Sequence, residues 1–135
     1  MNIHASCISL DGRGILFLGA SGAGKSDLSL RLITSFGAKL VADDRVDIKI
    51  TDNKVIASAP DILKGLLEVR GIGIISLPLQ DSVEVNLVVN LTTAPLERLP
   101  EKSFYEIAGV SLPQISLNPF EISAPAKVLA AISLL

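Results

Sequence analysis

Residues Gly19-Ala20-Ser21-Gly22-Ala23-Gly24-Lys25-Ser26 satisfy the pattern G-x-x-x-x-G-K-[ST] at every fixed position. No other feature of the chain restricts its fold and chemistry as much. The glycines let successive backbone N–H groups turn inward and form an anion nest. A helix that starts where the loop ends adds its unpaired N–H groups and the positive end of its dipole. Lys25 supplies a compact charge for the β- and γ-phosphates, and the Ser26 hydroxyl suits a magnesium ion. The flanks agree. Gly14 to Leu18 is a short apolar strand, and Leu28, Leu32 and Ile33 fall at helical spacing after the loop. A chance glycine-rich turn would lack both flanks. The motif therefore implies a nucleoside triphosphate bound together with Mg²⁺.

The chain has 135 residues, enough for one domain, which is expected to span residues 1–135. Its apolar fraction is 49%, sufficient for a core, but only 4% is aromatic, so Leu, Ile, Val and Ala must build that core. A formal charge of −2 argues against a protein that grips nucleic acid phosphates. The lone Cys7 excludes an internal disulfide and reads as a buried, inert thiol. No apolar run is long enough to span a membrane, and no apolar leader opens the sequence, so a cytoplasmic protein with no membrane partner is expected. The high apolar content favours a homo-oligomer.

Along the chain, Ile3 to Leu10 reads as a strand and Asp11-Gly12 as the turn into Gly14–Leu18. The helix is expected over Lys25 to Phe36, stopped by Gly37. Strands are expected at Lys39–Ala42, at Val46–Ile50 and Val55–Ala57 around an Asp52-Asn53 turn, and at Val83–Leu91. Asp61 to Gly65 suits one helical turn, and Ile72 to Leu77 is apolar. Pro95 to Pro100 suits a turn or short helix. Phe104–Ile107 and Gln114–Leu117 suit short strands. Ser123 is expected to cap a last helix, with Pro125 in its first turn and Lys127 to Leu135 continuing it. This order departs from the even alternation of a doubly wound sheet. It predicts an α/β domain: a strand-rich mixed sheet, a P-loop followed by a helix, and a C-terminal helix.

Two further segments carry chemistry. Asp43 and Asp44 close the strand Lys39–Ala42, at the strand end where α/β domains place ligands. A carboxylate there can hold a metal through water or take a proton from an attacking hydroxyl. Adjacent carboxylates point to different sides and so suit different roles; a surface Asp-Asp-Arg turn is the alternative. The second segment, Leu66 to Ile75, is apolar except for Glu68 and Arg70. Those two share a face if the segment is extended, while Gly71 and Gly73 permit close backbone approach. A metal–phosphate site and a solvated ion pair on an edge strand both fit this pattern.

Three motifs coincide: Gly19–Ser26, Leu40-Val41-Ala42-Asp43-Asp44, and Leu67-Glu68-Val69-Arg70-Gly71-Ile72-Gly73. Together they resemble the HPr kinase/phosphorylase family, specifically its catalytic domain. The third motif is the distinctive one, because the P-loop is shared by many enzymes. The resemblance implies a short form without the amino-terminal domain of longer members. It implies an ATP- and Mg²⁺-dependent kinase that phosphorylates a serine of the phosphocarrier protein HPr, a reaction that regulates the phosphotransferase system and carbohydrate metabolism. Many members also run it backwards by phosphorolysis. It further implies a hexamer.

Carried over by position, the resemblance makes Asp43 the general base and makes Lys25 the cation on the phosphates. It makes Ser26 and Glu68 the magnesium ligands, with Arg70 as a further motif residue. His4 matches the histidine before the P-loop strand, and Arg98 matches a late arginine that stabilises transferring phosphate. These last two stand out only through the resemblance. The chain departs from the family at Leu117–Ser123, where longer members carry an arginine-containing loop tied to dephosphorylation. It departs also at Ala20, where an aspartate is common. A small-molecule kinase and a non-catalytic nucleotide-sensing module are the other readings of the same motifs.

Overall fold

The computed structural model describes all 135 residues. The chain opens with a two-residue strand β1 (Asn2–Ile3), then β2 (Ser6–Leu10) and β3 (Arg13–Leu18), joined by the Asp11-Gly12 turn. The first helix, α1 (Lys25–Phe36), ends at Gly37, whose φ of 75° and N–H bond to the Leu32 carbonyl make a left-handed helix stop. After it come β4 (Lys39–Ala42) and the hairpin β5 (Val46–Thr51) and β6 (Lys54–Ser58). A single 3₁₀ turn, Asp61–Leu63, leads to β7 (Leu66–Val69) and β8 (Gly73–Ser76). The long strand β9 (Ser82–Leu91) follows, then β10 (Ser103–Ile107), β11 (Val110–Leu117) and the last helix, α2 (Ala124–Ile132).

The main sheet runs β1-β5-β6-β9-β3-β2-β4 and forks at β9. The first residues of β9 pair antiparallel with β6, its last residues pair parallel with β11, and β3 lies parallel along it. A register shift between Gly14 and Ile15 leaves Asn86 unopposed in β9. Val83 and Val85 therefore face one side of the sheet and Leu87, Val89 and Leu91 the other. Gly14 is required at this shift, since a Cβ there would lie 2.5 Å from the Glu84 carbonyl oxygen.

Both faces of the sheet are covered, which is why its strands read as continuous apolar runs rather than alternating ones. On one face, Leu28, Leu32 and Ile33 of α1 and Val128 and Ile132 of α2 pack on Ile8, Ile15, Phe17 and Leu87. On the other, Val55 and Ala57 of β6 and Ile107 and Leu112 of the β10–β11 arm close over Cys7, Leu16 and Val88. Neither helix is long and apolar enough to cross a membrane. Burial pushes the Cys7 thiol up to about 12, against a weaker opposing backbone hydrogen bond. Thiol reagents at neutral pH should leave Cys7 unmodified in folded protein and label it fully in denaturant. Rapid labelling of the native chain would contradict this packing.

The structure corrects several local expectations. Leu66–Ile75, whose two charges would share a face if it were extended, is a hairpin, β7 paired with β8. Pro95 to Pro100 forms neither helix nor strand. The strand expected at Gln114–Leu117 begins four residues earlier, because Val110 to Pro113 pair with β10. Ser123 makes no side-chain cap to α2, and the helix ends at Ile132 rather than Leu135.

Candidate active site

Strand direction explains why distant residues meet. β2 runs antiparallel to both β3 and β4, so β3 and β4 point the same way. The P-loop leaves the C-terminal end of β3, and Asp43-Asp44 leave the C-terminal end of β4. The N-terminal end of β2, with His4 and Ser6, lies at that same edge. One edge of the sheet thus gathers residues 4–6, 19–26 and 43–44, at the strand ends where ligands bind in such sheets.

Helix α1 starts from Gly24, whose φ of 97° is left-handed, and no side chain caps its first turn. The N–H groups at the start of the helix therefore remain available to an anion. A Cβ at Gly24 would meet Pro119 Cγ at 3.0 Å as well as forcing the strained φ. Gly24→Ala should lower stability by about 1–2 kcal/mol. An unchanged urea midpoint would show that the loop adopts another conformation. Lys25 is 6% exposed, and its ammonium donates to the Gly19 carbonyl at 2.6 Å and the Ala20 carbonyl at 3.0 Å. Burial holds its pKa below the usual lysine range, while Asp44 and Asp43 pull it back up.

Asp43 is 9% exposed, and its Oδ1 accepts the Ser6 and Ser26 hydroxyls, both at 2.7 Å. Its Oδ2 takes part in neither contact. Asp44 turns the other way, at a φ of 68°, into the open cavity, where its Oδ1 lies 3.1 Å from His4 Nε2. The neighbouring carboxylates thus do diverge, one behind the P-loop serine and one in the cavity wall.

The cavity has a volume of about 760 Å³. Its wall includes Ser21, Gly22, Gly24, Lys25 and Ser26 of the loop, together with His4 and Asp44. The β7–β8 hairpin supplies the facing wall with Glu68, Arg70, Gly71 and Gly73. Glu68 sits on β7, whereas Arg70 and Gly71 sit in the reversal after it, so the hairpin tip brings both charges to the cavity without an extended segment. Packing of the buried Leu67 into the helix-side core anchors the hairpin there. No three His, Cys, Asp or Glu side chains converge as a closed metal cage. Ser26 and Glu68 on one cavity are hard oxygen donors of the kind a magnesium ion combines with phosphate oxygens, so the residues fit that ion.

Arg98 is the expected residue that the fold does not bring in. It lies exposed in the irregular segment after β9 and is not part of the cavity wall. Gly19, Ala20, Ala23 and Asp43 also lie outside that wall, Asp43 behind Ser26. Two residues that sequence reasoning passed over belong to the site. Ser6 is fully buried on Asp43, and a serine inside the apolar run Ala5–Leu10 was the signal for it. Phe120 stands in the cavity wall next to Gly24, with no motif to mark it.

An uncapped helix N-terminus, a buried lysine and carboxylates on one cavity define an α/β domain equipped to hold an anion beside a cation. The family model of the HPr serine kinase C-terminal domain matches residues 1–132, and the chain belongs to that family. It is 39% identical over 129 residues to the HPr kinase/phosphorylase of Lactobacillus acidophilus, and 36% identical over 118 residues to that of a Thermoanaerobacter species. The matches cover 86% and 82% of this chain but only 40% and 37% of those relatives. The chain thus spans about 40% of the length of the first and matches its C-terminal domain. The solved structure of the Hpr(Ser) kinase/phosphatase from Coxiella burnetii superposes with a TM-score of 0.87 at 30% identity, covering 99% of this chain and 95% of that one. The strand-rich mixed α/β fold expected from the sequence is therefore the fold of this family.

Proposed function

We propose that residues 1–135 form the phosphoryl-transfer domain of an ATP- and Mg²⁺-dependent protein serine kinase whose acceptor is HPr. The observation that carries this reading is the Asp43 carboxylate, held by Ser6 and Ser26 directly behind the phosphate loop. Membership of the family and the names of the relatives supply the acceptor.

In this reading the triphosphate rests on the Gly19–Ser26 loop, with its anionic oxygens on the N–H groups at the start of α1. Lys25 exchanges the Gly19 and Ala20 carbonyls for the β- and γ-phosphate oxygens. Ser26 and Glu68 would hold the magnesium ion, which when bound would supply positive charge against the triphosphate. The seryl oxygen of the acceptor forms a bond to the γ-phosphorus as the bond to the bridging oxygen breaks and ADP leaves. Asp43 takes the seryl proton, its Oδ2 being the oxygen not committed to Ser6 and Ser26. Asp44 and His4 form a polar pair in the cavity wall beside the loop. Arg70, exposed at the hairpin tip on the cavity wall, would pair with a phosphate of the bound substrates. Arg98 has no part in the cavity of the single chain, and no role is proposed for it.

Two reactions test the reading together. HPr incubated with ATP, Mg²⁺ and the protein should gain one phosphoryl group on a serine, mapped by peptide mass. The same phospho-HPr with inorganic phosphate measures reversal. Leu117–Ser123 contains no arginine, and the forward reaction should dominate. Phosphate appearing on a metabolite, and never on HPr, in a parallel acceptor screen would replace this reading with a small-molecule kinase.

A further inference from the structure

The segment between β11 and α2 presents one aromatic ring to the cavity in a strongly braced position. Phe120 is 61% exposed and is the only Phe, Tyr or Trp in the cavity wall. Isolated exposed apolar side chains are common and need no explanation. The surroundings of this one are unusual. The Arg31 guanidinium donates to the carbonyls on both sides of it, Pro119 through Nη2 and Glu121 through Nη1. The same side chain is held at its root by Asp27, with 3.1 Å between Nε and Oδ2. The Phe120 N–H donates to Asn118 Oδ1 at 2.9 Å, and Lys127 contacts the Glu121 carboxylate at 3.4 Å. Pro119 packs on Gly24, and Phe120 Cε1 lies 3.4 Å from the Cβ position of that glycine. The backbone that carries the ring is thus braced beside the N-terminus of α1, and the ring is left uncovered.

We propose that Phe120 is the nucleobase platform of the site, stacking on the base of the nucleotide whose phosphates occupy Gly19–Ser26. This deepens the phosphate-loop reading and rests on it. A planar, π-faced ligand is the occupant that gains most from an uncovered phenyl ring on a braced backbone beside a phosphate site, because each flat face can stack on the other. The remaining wall near α1 offers Leu30 and Asp27, with no array of donors and acceptors to read the edge of a base. Stacking tolerates any base, since each has a π-face. Purines offer the larger face, so ATP and GTP should bind with affinities close to each other and above that of UTP.

The test uses calorimetric titration of the whole chain with ATP, GTP, UTP and inorganic tripolyphosphate. Wild type should bind all four, the nucleotides more tightly than tripolyphosphate. Phe120→Ala should weaken ATP about tenfold and leave tripolyphosphate unchanged. The chain contains no tryptophan, so Phe120→Trp introduces a single reporter. ATP should quench it and tripolyphosphate should not, with ATP affinity retained. Equal losses for ATP and tripolyphosphate in Phe120→Ala would mean that the ring only supports the loop, and would overturn the proposal. So would an unchanged ATP affinity accompanied by weaker HPr binding, which would assign Phe120 to the protein acceptor. Failure of wild type to bind any of the four ligands would overturn the phosphate-loop reading itself. Binding of tripolyphosphate with no effect of Phe120 on ATP would sink only the platform.

Discussion

Asp43→Asn should lower the rate of phosphoryl transfer to HPr by about 10²–10⁴-fold while leaving ATP affinity within a factor of about two. The asparagine keeps the size of the side chain and an oxygen for the Ser6 and Ser26 hydroxyls, so the packing behind the loop survives. What it loses is the ability to accept the seryl proton. A rate loss with intact binding is the signature of a group that acts in the transition state. Asp44→Asn is the matched control. Asp44 faces the cavity and pairs with His4, and it accepts neither serine hydroxyl. Its substitution should cost much less. If Asp44→Asn were the crippling change and Asp43→Asn the mild one, the assignment of the base would be reversed.

The second large effect is expected from Lys25→Met. Removal of the ammonium should weaken ATP and lower transfer, together by about 10²–10³-fold, because one cation is withdrawn from charge that develops in the transition state. Stability should move little, by about 1 kcal/mol at most, and upward is as acceptable as downward. Lys25 is nearly buried and its burial disfavours the charged form, so an apolar side chain of similar length suits the position without help. Calorimetry with ATP and a urea titration, run on the same preparation, check both halves. A large fall in stability would recast Lys25 as a structural brace for the Gly19 and Ala20 carbonyls.

The parts of this site that the sequence made readable are those where one local rule dominates. Gly19–Ser26 needs particular backbone freedom and a particular cation, and both appear as residue types. Gly37 ends α1 because only a left-handed residue can close that helix in this way. Asp43-Asp44 follows from an apolar strand ending in carboxylates. Glu68 and Arg70 were visible as charges, yet the reversal at Arg70–Ile72 was not, because glycines permit a turn without requiring one. The fork at β9 was hidden for another reason. Its partners β6 and β11 come from distant parts of the chain, and a strand buried on both faces has no alternation to announce which neighbour it takes. Ser6 and Phe120 depend on the same long-range register. Each matters only because of what it faces, Asp43 in one case and the start of α1 in the other. Arg98 shows the converse: a position matched by resemblance lies away from the cavity of this chain.

The central claim is that the phosphate loop and Asp43 together make a centre for phosphoryl transfer to protein serine. Intact-mass analysis of HPr after incubation with ATP and Mg²⁺ tests it most directly, using wild type and Asp43→Asn side by side with nucleotide occupancy confirmed for both. The account predicts one phosphoryl group per HPr with wild type and unmodified HPr with the variant over the same interval. Unmodified HPr with nucleotide-loaded wild type, or equal modification by both proteins, would contradict it.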